Sequence, residues 1–341
     1  ALTDLSVEKR PFDNPQKGPF MQKITIYLNK RASNTSYDHW RKKITRQLFR
    51  SHLIFKTPSS IEELNQNLKE DIEDKVDAII SVGGDGTANT VIQNIAKTEV
   101  GLLVIPAGTA NDLASELSDP KDIEQIIQCI RLETKKKIDL ININGQFMAT
   151  NGGIGLGSIV AAKINDLRQD YPLFKKVMQL SGSKIYSLFL GYEILTDKLD
   201  YYDLELKSPN FHSHEKAVAV LINNQSTLAG SFIVAPETNN SDGSFNVSLF
   251  THPYKKDLLK ALLELSNGNL PQNDPHFKSF ETSELEIINN NPEKMISFFG
   301  DGEVFAPSNR WEIKVERKAL TVYAVDPSKD LVDWVAEVTL T

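Results

Sequence analysis

Across 341 residues there is one cysteine, Cys129. An internal disulfide is excluded, and a single thiolate gives no zinc site. Cys129 stands among Ile126, Ile127 and Ile130, the setting of a core thiol rather than of a nucleophile. A reducing cytoplasm fits this cysteine usage. Long apolar runs are also missing. No stretch reaches the length of a bilayer span, so any membrane contact is expected to be peripheral and transient. Basic excess is missing too: 38 Lys and Arg against 45 Asp and Glu give a net charge of −7. That balance argues against a nucleic-acid partner, which calls for a basic face. The first twenty residues lack the pattern of a signal peptide. They are mixed in charge, carry three prolines and are expected to form a loosely attached tail.

What is present is a chain long enough for about two domains with a large core. Its organising stretch is Ser81 to Asp112. The apolar run Ala78–Val82 has strand length and breaks at Gly83-Gly84-Asp85-Gly86-Thr87. Ala88, Val91, Ile92, Ile95 and Ala96 then recur at helical spacing. A second strand, Gly101 to Ile105, ends at Pro106, and a second glycine loop, Gly108-Thr109-Ala110-Asn111-Asp112, follows. Strand, loop, helix, strand, loop is a βαβ unit with both loops at the same strand ends, where open α/β sheets bind ligands. Glycines admit a phosphate close to the backbone, and the helix start favours an anion. Asp85 and Asp112 repel phosphate unless a divalent cation lies between. Two tight turns with Asp as turn former are the plainer reading.

Carboxylates recur at Phe298-Phe299-Gly300-Asp301-Gly302-Glu303, flanking a glycine after an apolar strand. Asp301 or Glu303 could accept a hydroxyl proton during phosphoryl transfer, with Asp85 supporting the phosphates. Asp-Gly is equally a strong hairpin turn former. Thr150-Asn151-Gly152-Gly153-Ile154-Gly155-Leu156-Gly157 reads as a glycine-rich bend. It is not a second phosphate loop, since no lysine-serine pair follows. Lys175 to Leu195 reads as an apolar helical stretch that either packs in the core or walls an acyl-chain cleft. Short strands then dominate: 217–222, 232–235, 245–250, 285–288, 296–299, 311–315 and 321–325, with a helix near 257–265. That series suggests a sandwich. Leu331, Trp334, Val335 and Val338 mark a last helix expected to dock on the first domain.

The two loops, Gly83-Gly84-Asp85-Gly86-Thr87 and Pro106-Ala107-Gly108-Thr109-Ala110-Asn111-Asp112, with Gly300-Asp301-Gly302-Glu303, resemble the diacylglycerol kinase catalytic domain family, the bacterial lipid kinases in particular. The resemblance covers about Lys23 to Val325. It implies an α/β nucleotide-binding domain and a β-sandwich domain, with the active site in the cleft between. The boundaries expected are a tail over 1–20, the α/β domain over 21–138 joined by 326–341, and the sandwich over 139–325.

The resemblance also implies ATP and Mg2+ as cofactors and a lipid substrate, most simply diacylglycerol, phosphorylated to phosphatidic acid. It implies nucleotide contacts at Asn29, Thr57, Gly83, Gly84, Asp85, Gly86, Thr87, Asn89, Gly108, Thr109 and Asn111. Magnesium contacts are implied at Asp85, Asp112 and Asp139, and a structural ion at Asn239, Asp242 and Ser244, where a plain Asp-Gly turn is the alternative. The general base is implied at Asp301 or Glu303. Two departures stand out. Only Asn29 remains of the family's Asn-Pro-x-Ser-Gly loop, leaving Lys30 and Arg31 either to touch phosphate or to sit in solvent. Thr90 replaces a customary glutamate. Lys135-Lys136-Lys137 reads as a solvated edge or a membrane-facing patch. A homodimer is left open. The competing readings are an NAD kinase and a lipid- or nucleotide-binding regulatory protein without catalysis.

Overall fold

The computed structural model describes residues 22–29, 37–107, 112–117, 123–155, 199–228 and 232–325. The tail over 1–20, Lys30 and Arg31, the apolar stretch 175–195 and the helix over 331–338 lie outside these residues.

Four parallel strands begin the chain. They are β1 (Lys23–Leu28), β2 (His52–Lys56), β3 (Ala78–Gly83) and β4 (Gly101–Pro106), in the order β2-β1-β3-β4. Every residue of β3 is buried. A continuous apolar run is what a parallel strand covered on both faces requires. One cover is α1 (Tyr37–Gln47) with α5 (Ile123–Arg131). There Trp40, Ile44, Ile126, Ile127 and Ile130 pack on Ile24, Ile80, Leu103 and Ile105. Cys129 is fully buried in this layer, and burial pushes its thiol up. The other cover is α2 (Ile61–Glu73), α3 (Asp85–Ile95) and α4 (Asp112–Leu117), whose Leu64, Leu68, Val91, Ile92 and Leu113 meet Ile79, Leu102 and Val104. Ser60 caps α2 by accepting from the Glu63 amide at 3.2 Å. The Glu63 carboxylate reaches back one residue further, to the amide and hydroxyl of Ser59.

Beyond α5 the chain turns to strands: β5 (Lys135–Ile143), β6 (Gln146–Met148), β7 (Asn151–Gly155), β8 (Tyr202–Ser208), β9 (Phe211–Ala217), β10 (Ala219–Asn223), β11 (Thr227–Leu228), β12 (Phe232–Ile233) and β13 (Phe245–Phe250). Helix α6 (Lys255–Ser266) intervenes. Strands β14 (Phe277–Thr282), β15 (Glu284–Asn289), β16 (Phe298–Gly300), β17 (Glu303–Val304) and β18 (Arg310–Tyr323) complete the described chain. A six-stranded sheet, β14-β13-β10-β7-β16-β17, faces part of a ten-stranded one that continues the α/β sheet as β4-β18-β15-β8-β9. Ile154, Val220, Ile222, Val247 and Phe298 from the first meet Ile141, Leu204, Leu206, Leu285, Trp311 and Ile313 from the second. This is the expected sandwich on an α/β domain.

Strand β18 is where the expectation differs most. The runs 311–315 and 321–325, read as two strands, are one strand of 14 residues. Its first half pairs with β15, its Thr321 and Val322 with Gly101 and Leu102 of β4, and its length with β5. A register shift between Glu316 and Leu320 absorbs the exposed charged residues that look like a loop. The division at 138/139 accordingly falls inside β5. Strands β8, β9 and β14 are additional to the expected set. The described part of the glycine-rich bend is a buried strand, β7, between β10 and β16. A Cβ at Gly152 would strike the Phe299 carbonyl, so the glycines let three backbones pack closely.

Candidate active site

The C-terminal ends of β1, β2 and β3 open on a cavity of about 630 Å³. This is the size range of small-molecule sites. Tyr27, Leu28, Pro58, Ile61 and Leu64 give it an apolar side, and Asn29, Thr57, Ser59 and Ser60 a polar rim. Gly86, Thr87, Asn89 and Thr90 form its helical wall at the start of α3. Glu303 closes it from the sandwich. The cavity therefore lies in the α/β domain, with one sandwich residue on its wall.

Each wall is fixed from behind. Tyr27 is buried and donates to Asp71 at 2.5 Å, and Lys56 meets the same buried carboxylate at 2.9 Å. Burial, reinforced by that carboxylate, raises the Tyr27 phenol far above its ordinary value. Asn29 donates to the Thr87 hydroxyl at 2.9 Å, tying the loop after β1 to the start of α3. Thr90 donates to the Gly86 carbonyl at 3.0 Å. In place of the family's carboxylate, this position carries a hydroxyl bonded back to its own helix, on the cavity wall. Gly83 is buried beneath Thr87, whose side chain leaves no room for a Cβ there. Gly84 is the extended N-cap of α3. Asp85 begins the helix, and its Oδ1 accepts from the Asp112 amide at 3.0 Å. The two glycine loops thus meet through their aspartates. Gly108, Thr109 and Asn111 lie outside the described residues.

The Asp301-Gly302 hairpin separates two carboxylates that looked equivalent. Asp301 and Gly302 have φ of 51° and 80°, the pairing a two-residue hairpin turn requires. Asp301 is buried, and its oxygens accept from the amides of Ala149 and Thr150, the Thr150 hydroxyl and Asn89 at 2.6–2.9 Å. Four donors occupy this carboxylate and fasten the turn to α3 and to the start of β7. Glu303 is exposed. Its Oε1 lies 2.8 Å from the point where Gly86 would carry a Cβ. Asn89, expected to touch nucleotide, lines the cavity and also holds Asp301.

Two metal expectations find different surroundings. Asp139 does not join Asp85 and Asp112. It neighbours Ile138, which pairs with Leu320 beside the Thr321–Gly101 pair at the beginning of β4, whereas Asp112 follows the end of β4. Five residues of strand separate the two ends, about 16 Å at 3.3 Å per residue. The buried Asp139 carboxylate instead accepts from the Gly243 amide at 2.7 Å and the Lys318 amide at 2.6 Å. It pins the β18 bulge to the loop before β13. In that loop Asp242 Oδ1 accepts from the amide and hydroxyl of Ser244 at 2.9 Å. Asn239 Oδ1 accepts from Ser241 in the same way. These are side-chain turns of the Asx type, with Gly243 at a positive φ of 83°.

Several contributors gave little signal in the sequence. Asn151 Oδ1 accepts from the amides of Asn224 and Gln225. Asn224 donates to the carbonyls of Ala149 and Asp139. This buried amide network supports the segment that grips Asp301. Asn151 was visible only as a member of the glycine-rich stretch. Pro58, Ser59 and Ile61 were not legible as cavity wall.

An α/β domain with glycine loops at its strand ends, joined to a β-sandwich whose Glu303 reaches the cavity wall, defines a two-domain fold class. Residues 23–143 match the diacylglycerol kinase catalytic domain, and residues 176–324 match the YegS C-terminal NAD kinase beta sandwich-like domain. The likeness to the diacylglycerol kinase catalytic domain family is that of residues 23–143. It is 28% identical over 193 residues to a "Probable lipid kinase YegS-like" of Pseudomonas putida, covering 56% of this chain and 61% of that protein. It is 27% identical over 242 residues to a protein of the same name from Klebsiella pneumoniae, covering 69% and 74%. The chain thus spans about three fifths of the Pseudomonas relative. The crystal structure of a diacylglycerol kinase from Bacillus anthracis superposes with a TM-score of 0.67 at 20% identity, over 92% of this chain and 99% of that one. At that identity the likeness concerns the fold.

Proposed function

We propose that the protein is a lipid kinase that transfers the γ-phosphate of ATP to a lipid hydroxyl, with diacylglycerol as the first candidate. The observation that carries this reading is Glu303. Its carboxylate projects from the sandwich over the first turn of α3, at the mouth of a cavity of nucleotide size. In the transfer, the lipid oxygen bonds to the γ-phosphorus and the bond to the β-phosphate oxygen breaks, releasing ADP. The hydroxyl proton goes to Glu303, which is exposed and lines the cavity, whereas Asp301 is buried under four donors. Asp301 is then a positioning residue that holds the turn presenting Glu303.

The residues present fit a nucleotide and its divalent ion. Pro58, Ile61 and Leu64 offer an apolar seat for a base. Asn29, Thr57 and Thr87 offer polar contacts, and Gly86 leaves the first turn of α3 open to phosphate. Asp85 and Asp112 meet beside that turn and would hold magnesium, which neutralises charge on the phosphates. Asn239, Asp242 and Ser244 are the candidate residues for a separate structural ion. Membrane association in this reading is peripheral, since no helix among the described residues is long and apolar enough to cross a bilayer.

The test is phosphate transfer from labelled ATP to diacylglycerol, a sphingoid base, phosphatidylglycerol and undecaprenol in mixed micelles, with magnesium and with chelator. Phosphorylated lipid formed by the wild type, absent with chelator and from Asp85→Ala, is the expected result. NAD is run beside the lipids, because the second matched domain is a sandwich of the NAD kinase kind. Product on NAD alone would replace this reading. ATP binding with no product from any acceptor would favour a regulatory protein.

A further inference from the structure

The outermost hairpin of the ten-stranded sheet carries an arrangement that the active site does not use. Among the described residues, strand β9 is the sheet edge and pairs only with β8 in the strand order. Its sequence Phe211-His212-Ser213-His214-Glu215 alternates half-buried and exposed residues, so His212 and His214 share the outer face. The register places His214 directly opposite Glu205 of β8, and His212 one step along, opposite Lys207. Residues opposite each other in an antiparallel pair have Cβ atoms about 5 Å apart, within reach of one shared ion.

The donor atoms converge. Glu205 Oε1 lies 2.9 Å from His212 Nε2 and 3.6 Å from His214 Nε2. All three ligand atoms fall within 4.8 Å of one another. Around a tetrahedral zinc ion with bonds of about 2.1 Å, neighbouring donors stand roughly 3.4 Å apart. The observed spacings bracket that value. Lys207 occupies the other oxygen of Glu205, at 3.0 Å, and leaves Oε1 to the histidines. Both imidazoles are exposed, which admits an ion and leaves a position for water.

We propose that Glu205, His212 and His214 form a binding site for a borderline divalent transition-metal ion, zinc first, with water as fourth ligand. Two imidazoles and one carboxylate suit zinc and disfavour magnesium, which prefers an all-oxygen octahedron. The site is therefore chemically separate from the acids at Asp85 and Asp112. A bound ion clips β9 onto β8, where pairing among the described residues is one-sided.

The experiment uses the full chain after chelator treatment and dialysis. Zinc is titrated calorimetrically into wild type, His212→Ala/His214→Ala and Glu205→Gln, and cobalt is added separately to record visible absorption. Expected are one zinc per chain, four-coordinate cobalt absorption in wild type only, and an affinity loss of about 100-fold or more in the double variant. Zinc should also raise the melting temperature of wild type but not of the double variant. Circular dichroism checks that the variants fold, which exposed side chains on one strand face favour. No zinc binding by wild type up to millimolar concentration overturns the proposal. So does binding of equal affinity and stoichiometry by the folded double variant.

Discussion

Asp301 and Glu303 are two residues apart, yet their surroundings give them opposite tasks. Asp301 is buried under four donors, and Glu303 is exposed over Gly86. Glu303→Gln should lower turnover by about 10²–10⁴-fold, the usual contribution of a general base, while leaving the melting temperature and ATP affinity unchanged. Asp301→Asn should do the reverse first. One acceptor oxygen becomes a donor facing buried donors, which costs about 1–3 kcal/mol, so thermal unfolding shifts down and turnover falls through misplacement of Glu303. Melting curves beside steady-state rates separate the two. If Glu303→Gln retains full turnover, the base lies elsewhere. Gly86→Ala offers a second check with opposed signs. Alanine in the first turn of α3 should stabilise by roughly 0.5–1 kcal/mol. Its Cβ would stand 2.8 Å from Glu303 Oε1, so turnover should fall as stability rises. Of these distinctions the sequence showed only that the acids were present. Which one is buried depends on Asn89, Ala149 and Thr150, residues distant in the chain.

Elements are joined here by single buried side chains. The Asp139 carboxylate satisfies the amides of Gly243 and Lys318 and so ties β5, the β18 bulge and the loop before β13 together. Asp139→Ala would strand the buried Gly243 amide and the part-buried Lys318 amide and cost about 2–3 kcal/mol, read as a loss in chemical unfolding free energy. An unchanged midpoint would show that these amides find other partners. Strands β3 and β4 and helix α3 were legible because a continuous apolar run and a helical period are local signals. Strands β8 and β9 were not. Their outward faces carry Asp203, Glu205, Lys207, His212, His214 and Lys216. The buried face alone, Tyr202, Leu204 and Leu206, was too short a pattern to stand out.

At the scale of the molecule, β18 belongs to both domains. Its upper half carries Trp311 and Ile313 into the sandwich core, and its lower half carries Leu320 and Val322 into the α/β core. Bending the two domains apart would require breaking a strand that is paired along its length. We expect a single calorimetric transition for the whole chain, with equal calorimetric and van't Hoff enthalpies. We also expect a fragment ending at residue 143 to aggregate, because β4 and β5 lose their shared neighbour. Two resolved transitions, or a soluble folded fragment, would show that the halves are independent. Glu303 is tied to α3 through the Asp301 turn, which Asn89 of that helix holds.

The sequence by itself determined the chemistry on offer. It showed two glycine loops ending in Asp85 and Asp112, a second acidic turn at Asp301 and Glu303, a buried thiol and no apolar span. These are properties of neighbours in the chain, where turn formation and hydrophobic period are local. Only the tertiary structure decided how the acids are used. It buried Asp301, exposed Glu303, moved Asp139 away from Asp85 and merged two short apolar runs into one strand. The reason is the same in each case: burial and hydrogen-bond partners come from segments far apart in sequence, and pairing across sheets brings them together.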